Sequence, residues 1–126
     1  MRELLAAYYA DLYEPPLHAA SYFAPQVERL YIQRDLTPAQ IDNELARSFF
    51  PENRHAVYQV EPGTLHVSEP AADGSRVATY IEAGRLYRVS RQQYQRLRTR
   101  VRVRLNADNQ LVYMRQEKLL SNEFEQ

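Results

Sequence analysis

The chain of 126 residues contains no cysteine and no tryptophan, and only one of its 16 lysine and arginine side chains is a lysine. The absence of cysteine excludes disulfides, thiolate metal ligands and a cysteine nucleophile. Only three glycines are present, and they form no glycine-rich phosphate loop. No HExxH motif and no nucleophile elbow occurs. The compact sequence motifs of several common enzyme classes are therefore missing.

Long hydrophobic runs are also missing. No apolar stretch approaches the roughly 20 residues of a membrane-spanning helix. The first 16 residues are typical of an amphipathic helix, because Asp11 and Glu14 interrupt any signal-peptide core. These absences favour an intracellular, cytoplasmic chain, although a domain cut from a longer or secreted protein would have the same composition. The length and the 44% hydrophobic content predict one domain, residues 1–126.

The charges are unevenly distributed, although the formal net charge is zero. Residues 1–75 hold 5 basic and 11 acidic side chains, whereas residues 76–126 hold 11 basic and 5 acidic ones. From Arg85 to Arg104 there are eight arginines and no acid. Such an asymmetry indicates either nucleic-acid binding or two halves of one domain that neutralise each other.

Three helices are predicted before residue 51. Residues 2–13 place leucines and tyrosines at helical spacing, and a shorter helix is predicted over about 17–23. A short strand over 26–32 follows. Thr37-Pro38-Ala39-Gln40 then combines an N-cap, a first-turn proline and a capping box, which predicts the start of the third helix.

From residue 54 the apolar period changes from 3.6 to 2, which predicts four long antiparallel strands. Glu61-Pro62-Gly63 is either a type II turn or a bulge that bends one long strand. A second bulge is predicted at Gly84, and hairpin turns at 71–75 and 106–109. Helices on one side of such a sheet define an α+β domain.

Five segments together resemble one known superfamily in their order and spacing. They are LLAAYYADLY, AASYFAPQVERLY, LTPAQIDNELARSFF, VEPGTLHV and RLRTRVRVRLNADNQLVYMRQEK. Together they resemble the nuclear-transport-factor-2-like superfamily, which includes ketosteroid isomerases and polyketide cyclases. The resemblance implies a cystatin-like cone, in which three N-terminal helices pack on the concave face of a strongly curved antiparallel sheet. That cone often encloses a pocket and often dimerises through the sheet.

The chain departs from this superfamily in one respect that bears on function. The superfamily often has a tryptophan in its last strand, where this chain has Leu111-Val112-Tyr113. No carboxylate aligns with a known base, so no catalytic residue is carried over from the resemblance. Glu82 is the acid most embedded in a strand, and Asp11 and Asp35 are expected near the pocket mouth.

Possible proton donors to these acids form no motif with them. The candidates are His55, His66, Tyr58 and Tyr80. Solvent-facing or ion-paired roles are commoner for such carboxylates than catalytic roles. The three histidines also lack metal-ligand spacing, so neither a metal site nor a cofactor is expected.

Ten tyrosines predict either a pocket lined by aromatic rings or a half-wet core. The resemblance favours the pocket. Its predicted lining is Tyr8, Tyr9, Tyr13, Tyr31, Tyr58 and Tyr80.

The stretch RLRTRVRVRL places an arginine at every second position of one predicted strand. Alternation puts the arginines on the outer face of the sheet and the apolar residues toward the helices. If the two strands flanking the 90–93 loop pair so that the numbers of opposite residues add up to about 184, Glu82 lies opposite Arg102. Glu117 is expected beside Arg98. The predicted association face comprises Arg96, Arg98, Arg100, Arg102, Arg104, Glu82 and Glu117.

This face has three interpretations: a solvated surface with internal ion pairs, a self-association surface, or a nucleic-acid surface. The near absence of lysine and a pI near 6.8 argue against nucleic acid. The sequence favours a non-catalytic domain that binds a small apolar or aromatic ligand, or that serves for association, and that forms a homodimer through the outer face. The alternative is a small pocket enzyme of isomerase, dehydratase or cyclase type. An enzyme predicts a buried, unpaired carboxylate in a cavity, and an association domain predicts a filled interior.

Overall fold

The computed structural model describes residues 1–126, which form two helices and seven strands. The helices are α1 (Arg2–Asp11) and α2 (Pro38–Glu44), and a π-helical turn (Leu45–Phe49) continues α2. The strands are β1 (Val27–Leu30), β2 (Gln33–Leu36), β3 (Asn53–Val60), β4 (His66–Val67), β5 (Arg76–Arg88), β6 (Gln93–Leu105) and β7 (Leu111–Phe124).

The seven strands form one strongly curved, half-barrel mixed sheet in the order β2-β1-β7-β6-β5-β3. All neighbouring strands are antiparallel except β1 and β7, which are parallel. The short strand β4 pairs with β5 beyond the end of β3, so both lie along the same side of β5. The predicted α+β class is thus confirmed, with a sheet that is mixed and not purely antiparallel.

Two of the three predicted helices are present. The capping box at the start of α2 forms as predicted, because the Gln40 amide donates to Thr37 Oγ1 and the Thr37 amide donates to Gln40 Oε1. The helix predicted over about 17–23 is wrong: only a single 3-10 turn forms there, at Ala19–Ser21. With three residues this segment contains too few backbone hydrogen bonds to form a helix of its own. The strand predicted over 26–32 forms as β1, and β2, which was not predicted, pairs with it as a hairpin.

The Glu61-Pro62-Gly63 segment forms a turn between β3 and β4, which is the first of the two predicted alternatives. The Thr64 amide donates to the Glu61 carbonyl, and Gly63 has φ +81°, as the third position of a type II turn requires. Because β3 and β4 both pair with β5, this turn also bends one continuous sheet edge.

The bulge predicted at Gly84 is absent, since β5 and β6 pair without interruption from Arg76 to Arg88. The register shift lies instead in β3, between Arg54 and Val57. Gly84 has another role, because a Cβ there would lie 2.3 Å from two ring carbons of Tyr58. Glycine is required for the close approach of that ring.

The core lies between the inner face of the sheet and the two helices. Its main cluster contains 19 buried side chains, drawn from both helices and from β1, β5, β6 and β7. The apolar residues of β6 point inward, as the alternation predicted, with Val101, Val103 and Leu105 at most 2% exposed. No helix has the length and apolar character needed to cross a membrane.

Candidate functional site

The interior of the curved sheet is filled by tyrosine rings. Tyr8, Tyr9 and Tyr80 are at most 2% exposed, and Tyr9 packs against Tyr8, Tyr58 and Tyr80 with ring centroids 5.3 to 6.4 Å apart. The hydroxyls of Tyr8 and Tyr31 are hydrogen-bonded at 3.0 Å. Burial is the main cause that raises the pKa of each of these phenols. They therefore remain protonated at neutral pH.

Glu82 points into this interior and is 3% exposed. The Tyr9 hydroxyl donates to Glu82 Oε2 at 2.7 Å, and the Tyr80 and Tyr9 hydroxyl oxygens are 2.6 Å apart. Because the single Tyr9 proton is directed at the carboxylate, Tyr80 donates to Tyr9. Burial raises the pKa of Glu82, and its hydrogen bonds to Tyr9 and Gln116 oppose that rise.

Of the four candidate donors, Tyr80 is joined to Glu82 through Tyr9, whereas the other candidate acids and His66 lie apart from it. Asp11 accepts hydrogen bonds from His18 and Tyr22, which lower its pKa against the opposing effect of burial. Asp35 is exposed on β2, and His66 is exposed on β4. No group of three or more histidine, aspartate or glutamate side chains is placed to hold a metal ion.

The six predicted pocket tyrosines divide between core and surface. Tyr8 and Tyr80 are core residues, and Tyr31 borders a smaller cavity of about 240 Å³ beside the π-helical turn. Tyr9, Tyr13 and Tyr58 line a groove of about 550 Å³ between α1 and β3, which we call the edge groove. Sequence periodicity did not reveal this groove, because its lining combines one helix face with five consecutive strand residues.

The outer face of β6 carries all five arginines of the predicted row, as the alternation predicted. Four of them are ion-paired with carboxylates of the same chain. The pairs are Arg96–Glu125, Arg98–Glu61, Arg102–Glu117 and Arg104–Glu28. Arg85 also binds Glu125, and the two guanidinium groups lower the pKa of that carboxyl to about 2.

The predicted register was wrong on both sides of β6. The residue numbers of paired positions in β5 and β6 add up to 181, and not to about 184. Glu82 therefore lies opposite Thr99 and is removed from the association face. The predicted register therefore differs from the observed one by three residues. A shift by an odd number of residues exchanges the two faces of a strand. Glu117 does lie near the arginines, but its partner is Arg102, because bulges in β7 shift the pairing and place Ser121 beside Arg98.

The main carboxylate partners of the arginine row were not predicted. Glu28, Glu61 and Glu125 lie 76, 37 and 29 residues from the arginines that they bind. No local pattern in the sequence contains such distant pairings, since the sheet order brings them together.

Two patches of opposite charge remain on the outer face after these pairings. The cationic patch consists of Arg100, Arg102, Arg115 and Lys118, with Glu117 as its one carboxylate. Arg100, Arg115 and Lys118 form no ion pair, so three positive charges remain.

The second patch is an acidic groove of about 530 Å³ around the two hairpin turns. Its charged residues are Arg104 and four acids, which leaves three negative charges. The acids are Glu28, Asp35, Asp73 and Asp108.

The fold and these surfaces define an α+β domain with a filled interior, an open edge groove and a charged outer face. No protein-family model, curated protein or solved structure matches the chain. The superfamily indicated by the sequence therefore stays a prediction.

Proposed function

We propose that this protein is a non-catalytic association domain that forms a homodimer through the outer face of its sheet. We further propose that the domain is a cone of the nuclear-transport-factor-2-like type. The strongly curved sheet and the helices on its inner side support this assignment. Three elongated strands, β5, β6 and β7, lie side by side in the outer face.

The observation that carries the proposal is the filled interior. The alternative, a pocket enzyme, requires a carboxylate that is open to a substrate. Glu82 is the carboxylate most deeply buried, and it is already hydrogen-bonded to Tyr9. The rings of Tyr8, Tyr9 and Tyr80 are buried and packed against one another in the same interior. The groups left available for recognition are therefore on the surface.

The outer face is large enough for a dimer interface. Strands of about 13 residues extend about 43 Å, and three strands are about 14 Å wide. The flat area is about 600 Å², which side-chain relief increases toward the roughly 800 Å² per partner of a standard interface. Val57 and Val67 contribute exposed apolar side chains from the neighbouring strands.

The two charged patches make this face complementary to itself. Arg100 and Arg104 are four residues apart on β6, so the patches lie about 13 Å from each other along the strand. A two-fold axis that lies parallel to the sheet, perpendicular to β6 and near Arg102 would place the cationic patch of one copy against the acidic groove of the other, twice. Three charges of each sign then meet at each contact.

The test is a charge-reversal experiment read by light scattering. Arg100→Glu/Lys118→Glu makes both patches acidic, and Asp73→Arg/Asp108→Arg makes both basic. We expect the unmodified chain to be a dimer, each double variant to be a monomer, and the equimolar mixture of the two to form a heterodimer.

The matched control is Arg2→Glu/Arg47→Glu, which changes the net charge equally on the helical side of the sheet. This variant is expected to remain dimeric. A monomeric unmodified chain at the highest soluble concentration would overturn the proposal. Dimeric double variants, or a mixture that stays monomeric, would overturn the outer-face interface.

A further inference from the structure

The edge groove is framed by α1 on one side and by the free edge of the sheet on the other. Arg2, Ala6 and Ala10 recur at intervals of about one helical turn and present one face of α1 to it, and Tyr13 follows just after the helix. The opposite wall is the segment 56–60 of β3, the terminal strand of the sheet. Eight of the ten lining residues are hydrophobic.

The direction of α1 along β3 follows from two ring contacts. Tyr13 stacks on His55 at 5.5 Å between centroids, and Tyr9 packs on Tyr58 at 5.8 Å. The helix therefore runs antiparallel to the strand. Arg2 consequently lies toward the Val60 end of the groove.

The groove exposes unused backbone hydrogen-bonding groups. The Glu61 amide donates to the Ile81 carbonyl, and β3 and β5 are in regular register from Val57 to Val60. In an antiparallel ladder every second residue bonds to the neighbouring strand. Gln59 therefore faces β5, and the amide and carbonyl groups of Tyr58 and Val60 face away from the sheet.

We propose that the edge groove binds an extended, mainly apolar peptide segment of another protein, which adds as a strand to β3 and places an acidic side chain against Arg2. A strand is the ligand that satisfies alternate backbone donors and acceptors along an edge. Its inward side chains would contact the small residues Ala6 and Ala10, which leave room for them. The site shares Val57 with the outer face but neither of its charged patches, so a monomeric protein would leave the inference intact.

The positive charge of Arg2 is the reason for proposing an acidic partner. Arg2 forms no ion pair, and no acid lines the groove. A second copy pairing through its own β3 would present NRHAVYQV, which contains no carboxylate. An acidic peptide therefore fits the groove better than a second copy of this chain.

The probe is a fluorescein-labelled, acetylated peptide amide of sequence Glu-Val-Ser-Val-Ser-Val-Ser, titrated by fluorescence anisotropy. We expect saturable binding below about 1 mM, the weak end of specific recognition. The same peptide methylated on alternate backbone nitrogens tests strand addition, because it lacks the donors for the Tyr58 and Val60 carbonyls. It is expected to bind at least about tenfold more weakly.

Two protein variants form a matched pair on α1. Ala6→Glu fills the groove and repels the acidic peptide, whereas Ala7→Glu makes the same change outside the lining. We expect Ala6→Glu to weaken binding at least about tenfold and Ala7→Glu to leave it unchanged. Arg2→Glu should reverse the preference, so that the protein binds the peptide with lysine in place of glutamate more tightly than the glutamate peptide.

Amide hydrogen exchange locates the contact independently. Bound peptide should slow exchange at Tyr58 and Val60 and leave Gln59 unchanged, because Gln59 is already bonded within the sheet. No saturation by the peptide would overturn the inference. Equal effects of Ala6→Glu and Ala7→Glu, or undiminished binding of the methylated peptide, would also overturn it.

Discussion

The contact between Gly84 and Tyr58 gives a sharp test of how the inner face is packed. An alanine Cβ at position 84 would lie 2.3 Å from Tyr58 Cδ1 and Cε1, where carbon atoms normally stay about 3.5–4.0 Å apart. The Tyr58 ring would have to move by more than about 1 Å. The Tyr58 ring also packs against the ring of Tyr9. Tyr9 is held in place by its hydrogen bonds with Glu82 and Tyr80.

Gly84→Ala is therefore expected to destabilise the protein by about 1–3 kcal/mol, the usual cost of overpacking a core. In a Tyr58→Ala background the clash is gone, and alanine is favoured over glycine in a strand by about 0.5–1 kcal/mol. The effect of Gly84→Ala should reverse its sign between the two backgrounds. The coupling free energy is then about 1.5–4 kcal/mol.

The assay is urea unfolding of the four proteins in this double-mutant cycle. Gly63→Ala serves as the control, because Gly63 has φ +81° and no atom within 4 Å of its added Cβ. Its cost of about 1–2 kcal/mol arises from the backbone and should be the same with either residue at position 58. Equal costs of Gly84→Ala in both backgrounds would refute the packing argument.

Two further predictions concern carboxyl groups. The pKa of Glu82 is raised from 4.5 by burial, so ionisation opposes folding and the stability that Glu82 contributes falls as pH rises above about 4.5. In urea unfolding, the free energy of unfolding of Glu82→Gln should therefore equal that of the unmodified protein near pH 4 and exceed it toward pH 8. A difference in the free energy of unfolding that is independent of pH would contradict this. The Glu125 carboxyl, with a pKa lowered to about 2, contributes stability above its unfolded pKa of about 4.5 that is lost as pH falls toward 2. Carbon-detected NMR should show this midpoint, and Arg96→Gln should raise it; an unchanged midpoint would show that the Arg96–Glu125 pair does not form in solution.

Local sequence signals predicted the parts of the fold that depend on neighbouring residues. The capping box at Thr37 and the alternation along β6 both formed as predicted. Each depends on a few adjacent side chains and on the repeat of the backbone. The sequence left a tyrosine-lined pocket and a tyrosine-filled core open and favoured the pocket, since the tyrosines come from α1, β3 and β5, which only the folded sheet brings together.

Register was the point at which sequence reasoning failed, and it decided the position of Glu82. The strands β5 and β6 stay paired up to Arg88 and Gln93, and Gln92 takes φ +51° in the four-residue connection. A positive φ at a glutamine has no sequence signature comparable to that of Asp73-Gly74. The resulting odd shift placed Glu82 among the tyrosines and not beside the arginines.

The charge asymmetry of the chain is better explained by internal pairing than by nucleic-acid binding. Arg98 and Arg104 of the basic half bind Glu61 and Glu28 of the acidic half. A nucleic-acid backbone on the outer face would meet the three free positive charges of the cationic patch, but the acidic groove about 13 Å away would repel it. A second copy in the proposed dimer would meet no such penalty, because the proposed two-fold axis reverses its patches. The uncompensated charges, and not the full row of arginines, are therefore the basis of the proposed dimer.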